Sequence, residues 1–210
     1  MSLPSEVRNL YSATDRYSLK PGPGNLGLVQ DFVNTISAGR TIRGVDLLDT
    51  PEDASAWVSA AWRELDDRES VPVLDEEDLE PLRRFRTALM STLAGSDGTG
   101  IAASPGPSPT VTARATLALE DGQVRLASAA ASGHRAIVAE VLRALYDAQM
   151  EGQSRRLKIC PNEWCRVAFY DRSKNNGAVW HDSSSCGNIA NVRASRARQR
   201  DRTHAQFSVN

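Results

Sequence analysis

Residues 160–186 read CPNEWCRVAFYDRSKNNGAVWHDSSSC, and this stretch holds all three cysteines of the 210-residue chain and one of its three histidines. Cys160 and Cys165 are separated by four residues, fifteen residues follow, and His181 and Cys186 are again separated by four. Two pairs of soft or borderline ligands, joined by a loop of this length, suit tetrahedral zinc. The spacing therefore predicts that these four residues bind one zinc ion per chain.

The residues around the two pairs predict a knuckle followed by a helix. Residues 167–170, Val-Ala-Phe-Tyr, are apolar and favour a return strand after the first pair. Asp182 and Ser183 are favoured at helix N-caps, and no proline follows them. We therefore expect the second ligand pair to open a helix.

Two other interpretations of the cysteines remain. Buried free cysteines behave as small hydrophobic residues and need no metal. A catalytic zinc would need an open coordination position and a carboxylate base nearby, whereas four protein ligands close the coordination shell. Asp171 and Asp182 have no evident partners in the sequence. We therefore expect a structural metal and a protein that is not an enzyme.

At these residues the chain resembles the CGNR zinc finger proteins of bacteria. The resemblance lies in the C-x4-C pair, in Phe169-Tyr170-Asp171, in Trp180 and in Cys186-Gly187-Asn188. Upstream, residues 28–35, LVQDFVNT, resemble the opening motif of the ABATE domain, which precedes CGNR fingers in their family. The resemblance implies a transcription regulator whose N-terminal domain senses a ligand or a protein partner and whose finger binds DNA.

The chain departs from that family at three positions. His181 stands where the family usually has cysteine, Ile189 replaces the arginine of the CGNR motif, and Asn191 replaces a frequently basic residue. Zinc accepts the histidine. The other two changes leave a second function open, in which the finger is a zinc-stapled protein-interaction module that does not bind DNA.

Charge divides the chain into two parts with different expected partners. The net charge is −1, but residues 151–210 contain eleven Lys and Arg against five Asp and Glu, a balance of +6. Residues 1–150 contain fourteen against twenty-one, a balance of −7. A basic surface attracts phosphates through counterion release, while an acidic surface repels them. This division favours nucleic acid as a partner of the C-terminal part.

The last predicted helix carries the residues expected to contact DNA. Arg193, Arg196 and Arg200 share a face at i, i+3 and i+7, and arginine binds phosphates and guanine edges with two hydrogen bonds. Asn188 at the helix start is a fourth candidate. Palindromic DNA sites pair with two-fold symmetric proteins, so a homodimer is compatible with this function. The alternative is a basic tail that docks on the acidic domain or on a partner subunit.

The N-terminal part predicts a helical domain interrupted by one hairpin. Leu28 to Ile36 carry an apolar stripe of helical period, which Gly39 ends. Thr50-Pro51 starts a second helix, residues 75–94 predict a third with its regular part from Asp78, and Ser132 is expected to cap a fourth. Asp121-Gly122 is a favoured two-residue hairpin turn.

A ligand pocket in this domain would need convergent polar groups. Asp31, Asn34 and Arg40 are available on or near the first helix, and Trp57 could line the cavity. The alternative is that Asp31 and Asn34 brace a neighbouring loop, because most buried polar groups are satisfied internally.

These features predict an α+β fold that is mainly α-helical. The expected organisation is an extended segment over residues 1–24, an ABATE-like domain over 25–152, a CGNR-like zinc finger with a basic helix over 153–203, and a tail over 204–210. The sequence contains no run of 18 apolar residues and no apolar region near Met1, so we expect a cytoplasmic protein without membrane spans or a secretory signal.

Overall fold

The computed structural model describes residues 12–38, 45–63, 71–95, 110–128 and 132–207. Gly39 and Arg40, both singled out in the sequence, lie outside these ranges. The described residues form six helices and two antiparallel hairpins, in this order: α1 (Ser12–Asp15), α2 (Leu26–Val33), α3 (Pro51–Trp62), α4 (Glu76–Gly95), β1 (Ala115–Glu120), β2 (Gln123–Ser128), α5 (Gly133–Met150), β3 (Leu157–Ile159), β4 (Ala168–Tyr170) and α6 (Asn188–Phe207). The predicted α+β class, mainly helical, is confirmed.

Local signals explain where several elements begin. Thr50 adopts an extended conformation and its side chain accepts a hydrogen bond from the backbone N–H of Asp53, so α3 begins with a side-chain cap and with Pro51 at its first position. Asp121 and Gly122 both have positive φ, at 49° and 77°, which is the conformation of a type I′ turn between β1 and β2.

The structure corrects several predicted boundaries. Within the predicted extended segment 1–24, residues 12–15 form the helix α1, which buries Ala13 against the core, and residues 1–11 lie outside the described ranges. The helix α4 starts at Glu76 rather than at Asp78 and accommodates Pro81 inside. The helix α6 continues to Phe207, so residues 204–207 are helical and not a separate tail.

The cap of α5 also differs from the expectation. Ser132 is the N-cap residue but makes no side-chain cap hydrogen bond. Asp78 of α4 supplies the acceptor instead, since its Oδ1 accepts from the backbone N–H of His134 at 2.9 Å. A carboxylate from a neighbouring helix therefore satisfies an N–H group at the start of α5.

The main core lies between α2, α3, α4 and α5. Phe32 of α2 is fully buried at its centre, with ring centroids 5.8 Å from Trp57 of α3 and 5.2 Å from Phe85 of α4. Ile137 and Val141 of α5 complete this cluster. Aromatic and aliphatic burial of this kind is the dominant favourable contribution to folding.

The β3–β4 hairpin is shared between the helical core and the cysteine cluster. Ile159 pairs with Ala168, and both side chains join the helical core. Val167 and Phe169, on the opposite face, pack with Cys160 and the other cysteines. Because successive strand residues point to opposite faces, the two strands join the finger to the N-terminal helices.

None of the described helices combines the length with the apolar composition that crossing a bilayer requires.

Candidate metal centre

Four side chains converge at one point, two from the loop after β3 and two from the segment before α6. The sulfur atoms of Cys160, Cys165 and Cys186 and a ring nitrogen of His181 all lie within 4.8 Å of one another. The Cys165 Sγ is 3.3 Å from the His181 Nδ1. The three cysteines are buried and the histidine is half-buried. The structure thus brings together all four residues that the sequence spacing selected.

A tight knuckle presents the first two sulfurs. The backbone N–H of Cys165 donates to the carbonyl of Asn162 at 2.7 Å, and Arg166 takes a positive φ of 57° to complete the turn. The Cys160 N–H then donates to the Val167 carbonyl at 2.9 Å, which extends the β3–β4 pairing to the edge of the knuckle. Asn162 also donates its side-chain amide to the Cys186 sulfur at 3.2 Å and so links the two ligand pairs.

The second pair is presented by a wide helical turn ahead of α6. Residues Ser183–Gly187 form one turn of π-helix, and Asp182 is its N-cap. Its carboxylate accepts hydrogen bonds from Ser185 and Ser184, and these bonds lower the pKa of Asp182 to about 2. The predicted helix start at Asp182 therefore has a capping carboxylate, and this acid is a cap rather than a free base.

Gly187 packs against Trp180. A Cβ atom at Gly187 would lie 3.2 Å from the Trp180 Cδ1, which is closer than side-chain carbons normally approach. The glycine that follows Cys186 thus allows the π-helical turn to rest on the indole ring. This contact holds the second ligand pair against the loop that carries the tryptophan.

One thiol ionises readily, and the ionisation of the other two is opposed. Hydrogen bonds from Cys165 and His181 lower the pKa of Cys160 to about 4, although burial acts in the other direction. The pKa of Cys165 is raised by its hydrogen bond to Cys160 and by burial, and burial also raises the pKa of Cys186. A divalent cation between the four atoms offsets the negative charge that builds up when all three thiols ionise. The donor set therefore fits a tetrahedral metal with sulfur and nitrogen ligands.

A buried ion pair supports the loop between the two ligand pairs. Lys158 donates to the Asp171 carboxylate at 2.8 Å and also to the carbonyls of Asn176 and Ala178. Burial raises the pKa of Asp171, but the hydrogen bonds from Lys158, Ser173 and Ala178 outweigh it and hold this pKa near 2. The sequence showed no partner for Asp171, because Lys158 meets it only when β3 and β4 pair.

The predicted DNA contacts lie on the helix that leaves the cluster. Arg193, Arg196 and Arg200 are exposed on α6, and within the described ranges none of them forms a hydrogen bond or an ion pair. Asn188 is exposed as well, but its amide donates to the Ser184 carbonyl at 2.8 Å. Among the described residues, none of these arginines is therefore paired with an acidic side chain of the N-terminal domain.

Three of the residues predicted to line a ligand pocket are buried and hydrogen-bonded within the protein. Asp31, Asn34 and Trp57 are buried, at 0%, 0% and 2% exposure, and they are bonded internally. The Asp31 carboxylate accepts from the Thr14 N–H and from the Trp57 indole N–H, each at 2.7 Å. Asn34 is bonded to strand β4, and Arg40 lies outside the described residues. In the structure Asp31 and Asn34 thus hydrogen-bond to neighbouring elements, and the ligand pocket itself stays a prediction.

Comparisons with known proteins agree with this arrangement. The CGNR zinc finger family matches residues 156–199, and the ABATE family, described as "Putative stress-induced transcription regulator", matches residues 26–155. No curated protein matches the chain significantly. The helical domain followed by the cysteine cluster corresponds to this order of families, and the chain belongs to the ABATE family, with a CGNR zinc finger after the ABATE domain.

Proposed function

We propose that this protein is a zinc-containing transcription regulator that acts in the cytoplasm and binds DNA through α6. In this proposal Cys160, Cys165, His181 and Cys186 hold one structural zinc ion. The zinc fixes the knuckle and the π-helical turn relative to each other. The helix α6 then starts from a rigid base and carries the arginines to the phosphate backbone.

The exposed arginine face of α6 carries the proposal. Arg193, Arg196 and Arg200 fall within about 60° of one another around a helix with 3.6 residues per turn. They are exposed and have no hydrogen-bond or ion-pair partner among the described residues. A row of unpaired guanidinium groups in a segment of charge +6 is the arrangement that binds phosphates through two hydrogen bonds each.

Metal analysis tests the zinc site directly. We expect about one equivalent of zinc per chain after purification without chelator, and less than half an equivalent would contradict the proposal. Cys186→Ser should reduce the bound metal and weaken the affinity for zinc. Glu163→Gln is the control, because Glu163 is exposed beside the knuckle and does not belong to the four converging side chains.

A salt titration tests DNA binding. Each phosphate contact adds about 0.9 to the slope of log affinity against log salt concentration. Replacing Arg193, Arg196 and Arg200 together by alanine should therefore reduce the slope by about 2.7. As a control, Arg63→Ala removes an exposed charge outside the finger and should leave the salt slope unchanged. Unchanged affinity in the triple variant, or no binding at low salt, would favour the protein-interaction module instead.

A further inference from the structure

A groove of about 1240 Å³ lies on the N-terminal domain, away from the metal centre. It is bounded by α4, by the start of α5 and by residues 111–114, which lead into β1. Its volume is above the range of about 300–1,000 Å³ that is usual for small-molecule sites, so a small organic molecule fits in part of it. Asp31, Asn34 and Trp57, which were predicted to line a pocket, do not line this groove.

The floor of the groove is apolar. Phe85 and Ala88 of α4 face Val138 of α5 and Val111 across it. Phe85 and Val138 also belong to the main core, so the floor is held by packed side chains on both helices. Burial of the apolar part of a ligand on such a floor is favourable.

The rim of the groove is basic although the domain is acidic. Four arginines line it against one glutamate, which gives a local charge of 4 − 1 = +3 with His134 neutral, whereas residues 1–150 have a charge of −7. Glu80 is already 3.2 Å from Arg83 and 3.9 Å from Arg84. A cluster of arginine side chains on an otherwise acidic domain attracts an anionic ligand to the groove.

Two of the rim arginines are available to a ligand. Arg83 also donates to the Leu48 carbonyl at 2.7 Å and is held in place. Arg114 and Arg135 are exposed and, within the described part of the chain, have no hydrogen bond or ion pair. His134, beside them, is bonded to Asp78 at 2.6 Å, so that histidine is fixed by its partner.

We propose that this groove binds a small organic anion with an apolar body, whose carboxylate or phosphate is held by Arg114 and Arg135. The apolar body lies on Phe85 and Val138, and the guanidinium groups form charge-assisted hydrogen bonds with the anionic group. This proposal does not rest on the proposed function, because binding depends on the groove alone.

A pair of fluorescent probes tests the site in the full chain. The anionic probe is 8-anilinonaphthalene-1-sulfonate, and N-phenyl-1-naphthylamine provides a similar apolar body without the charge. We expect saturable binding of the sulfonate at one per chain. The double variant Arg114→Ala/Arg135→Ala should weaken its affinity at least tenfold and change the affinity of the neutral probe less than twofold.

Matched variants control for charge and for folding. Arg63→Ala/Arg155→Ala also removes two positive charges, but from exposed positions outside the groove, and should leave the affinities for both probes unchanged. Thr87→Trp places a bulky side chain at an exposed position of the groove wall and should weaken both probes. Equal melting temperatures for these variants and the unsubstituted protein would show that a change in probe fluorescence comes from binding and not from unfolding.

Three results would overturn the site. The first is no stoichiometric binding of the sulfonate. The other two concern the Arg114→Ala/Arg135→Ala variant: an unchanged affinity for the sulfonate, or an equal loss of affinity for both probes. Competition by octanoate or by octyl phosphate then identifies whether a carboxylate or a phosphate is preferred. The salt slope for DNA measures α6 separately, so a failure of either proposal leaves the other measurement intact.

Discussion

The side-chain amide of Asn34 pairs with the backbone of Ala168, which lies 134 residues later in the chain. Its Oδ1 accepts from the Ala168 N–H at 2.8 Å, and its Nδ2 donates to the Ala168 carbonyl at 3.0 Å. Gln30 donates to the same carbonyl at 3.3 Å and accepts from the Gly22 N–H at 2.7 Å. Helix α2 thus acts as a hydrogen-bonding neighbour of β4, the return strand of the knuckle.

Breaking this pairing should destabilise the whole chain. Asn34→Asp removes the donor and places a carboxylate oxygen against the Ala168 carbonyl in a fully buried position, which should lower the free energy of unfolding by about 1–3 kcal/mol. Asn175→Asp makes the same chemical change at an exposed position and should have little effect. Urea denaturation of both variants is the measurement. Equal stability of the two would show that the pairing contributes nothing.

Metal removal should weaken the N-terminal helices as well as the finger. Ile159 and Ala168 belong to the hairpin that carries the knuckle, and both pack in the helical core. A chelator should therefore lower the melting temperature of the chain in one cooperative step, because the metal contributes folding energy to the hairpin that both cores share.

Loss of helical circular dichroism measures that step, since most of the helical residues belong to α2, α3, α4 and α5. Two separate transitions, with the helical signal unchanged by chelator, would support independent domains. Trp164→Ala, which changes an exposed residue of the knuckle that is not a ligand, should melt like the unsubstituted protein.

Gly133→Ala should disrupt the link between α4 and α5. Gly133 has a φ of 60°, and a Cβ there would lie 2.7 Å from the Asp78 Oδ1, which caps α5. The unfavourable backbone conformation alone costs about 1–2 kcal/mol, and displacement of Asp78 adds the loss of a cap. Gly177→Ala is the control, since nothing lies within 4 Å of its Cβ. Equal melting temperatures for the two variants would refute the steric account.

Asp31 should make stability depend on pH. Burial raises its pKa from 3.8 to about 6, although hydrogen bonds from Trp57 and Thr14 act in the other direction. Between these values the folded state keeps a proton that the unfolded state releases, so stability falls as pH rises from about 4 to 6, by up to about 3 kcal/mol.

A comparison with Asp31→Asn isolates this contribution. The variant cannot titrate and is itself less stable, because its amide N–H faces a donor. The stability advantage of the unsubstituted protein over the variant should therefore be largest near pH 4 and shrink towards pH 7. An advantage that stays constant over this range would mean that the pKa of Asp31 is not raised.

The sequence by itself determined the features that depend on local spacing. The distances between Cys160, Cys165, His181 and Cys186 along the chain selected the four residues that converge, because a knuckle and a helix start are both short-range structures. The Asp121-Gly122 turn and the Thr50 cap could be predicted for the same reason, since each depends on a few adjacent residues.

Only the tertiary structure decided the roles of the buried polar residues. A polar motif such as Asp31 and Asn34 looks the same in sequence whether it faces a ligand, a loop or another strand. Its partners, Thr14, Trp57 and Ala168, lie 17 to 134 residues away. The basic groove is equally invisible in sequence, because Arg114 and Arg135 lie in an acidic region and approach α4 only in the folded domain. Long-range packing brings these groups together, and residue types and spacing alone do not specify it.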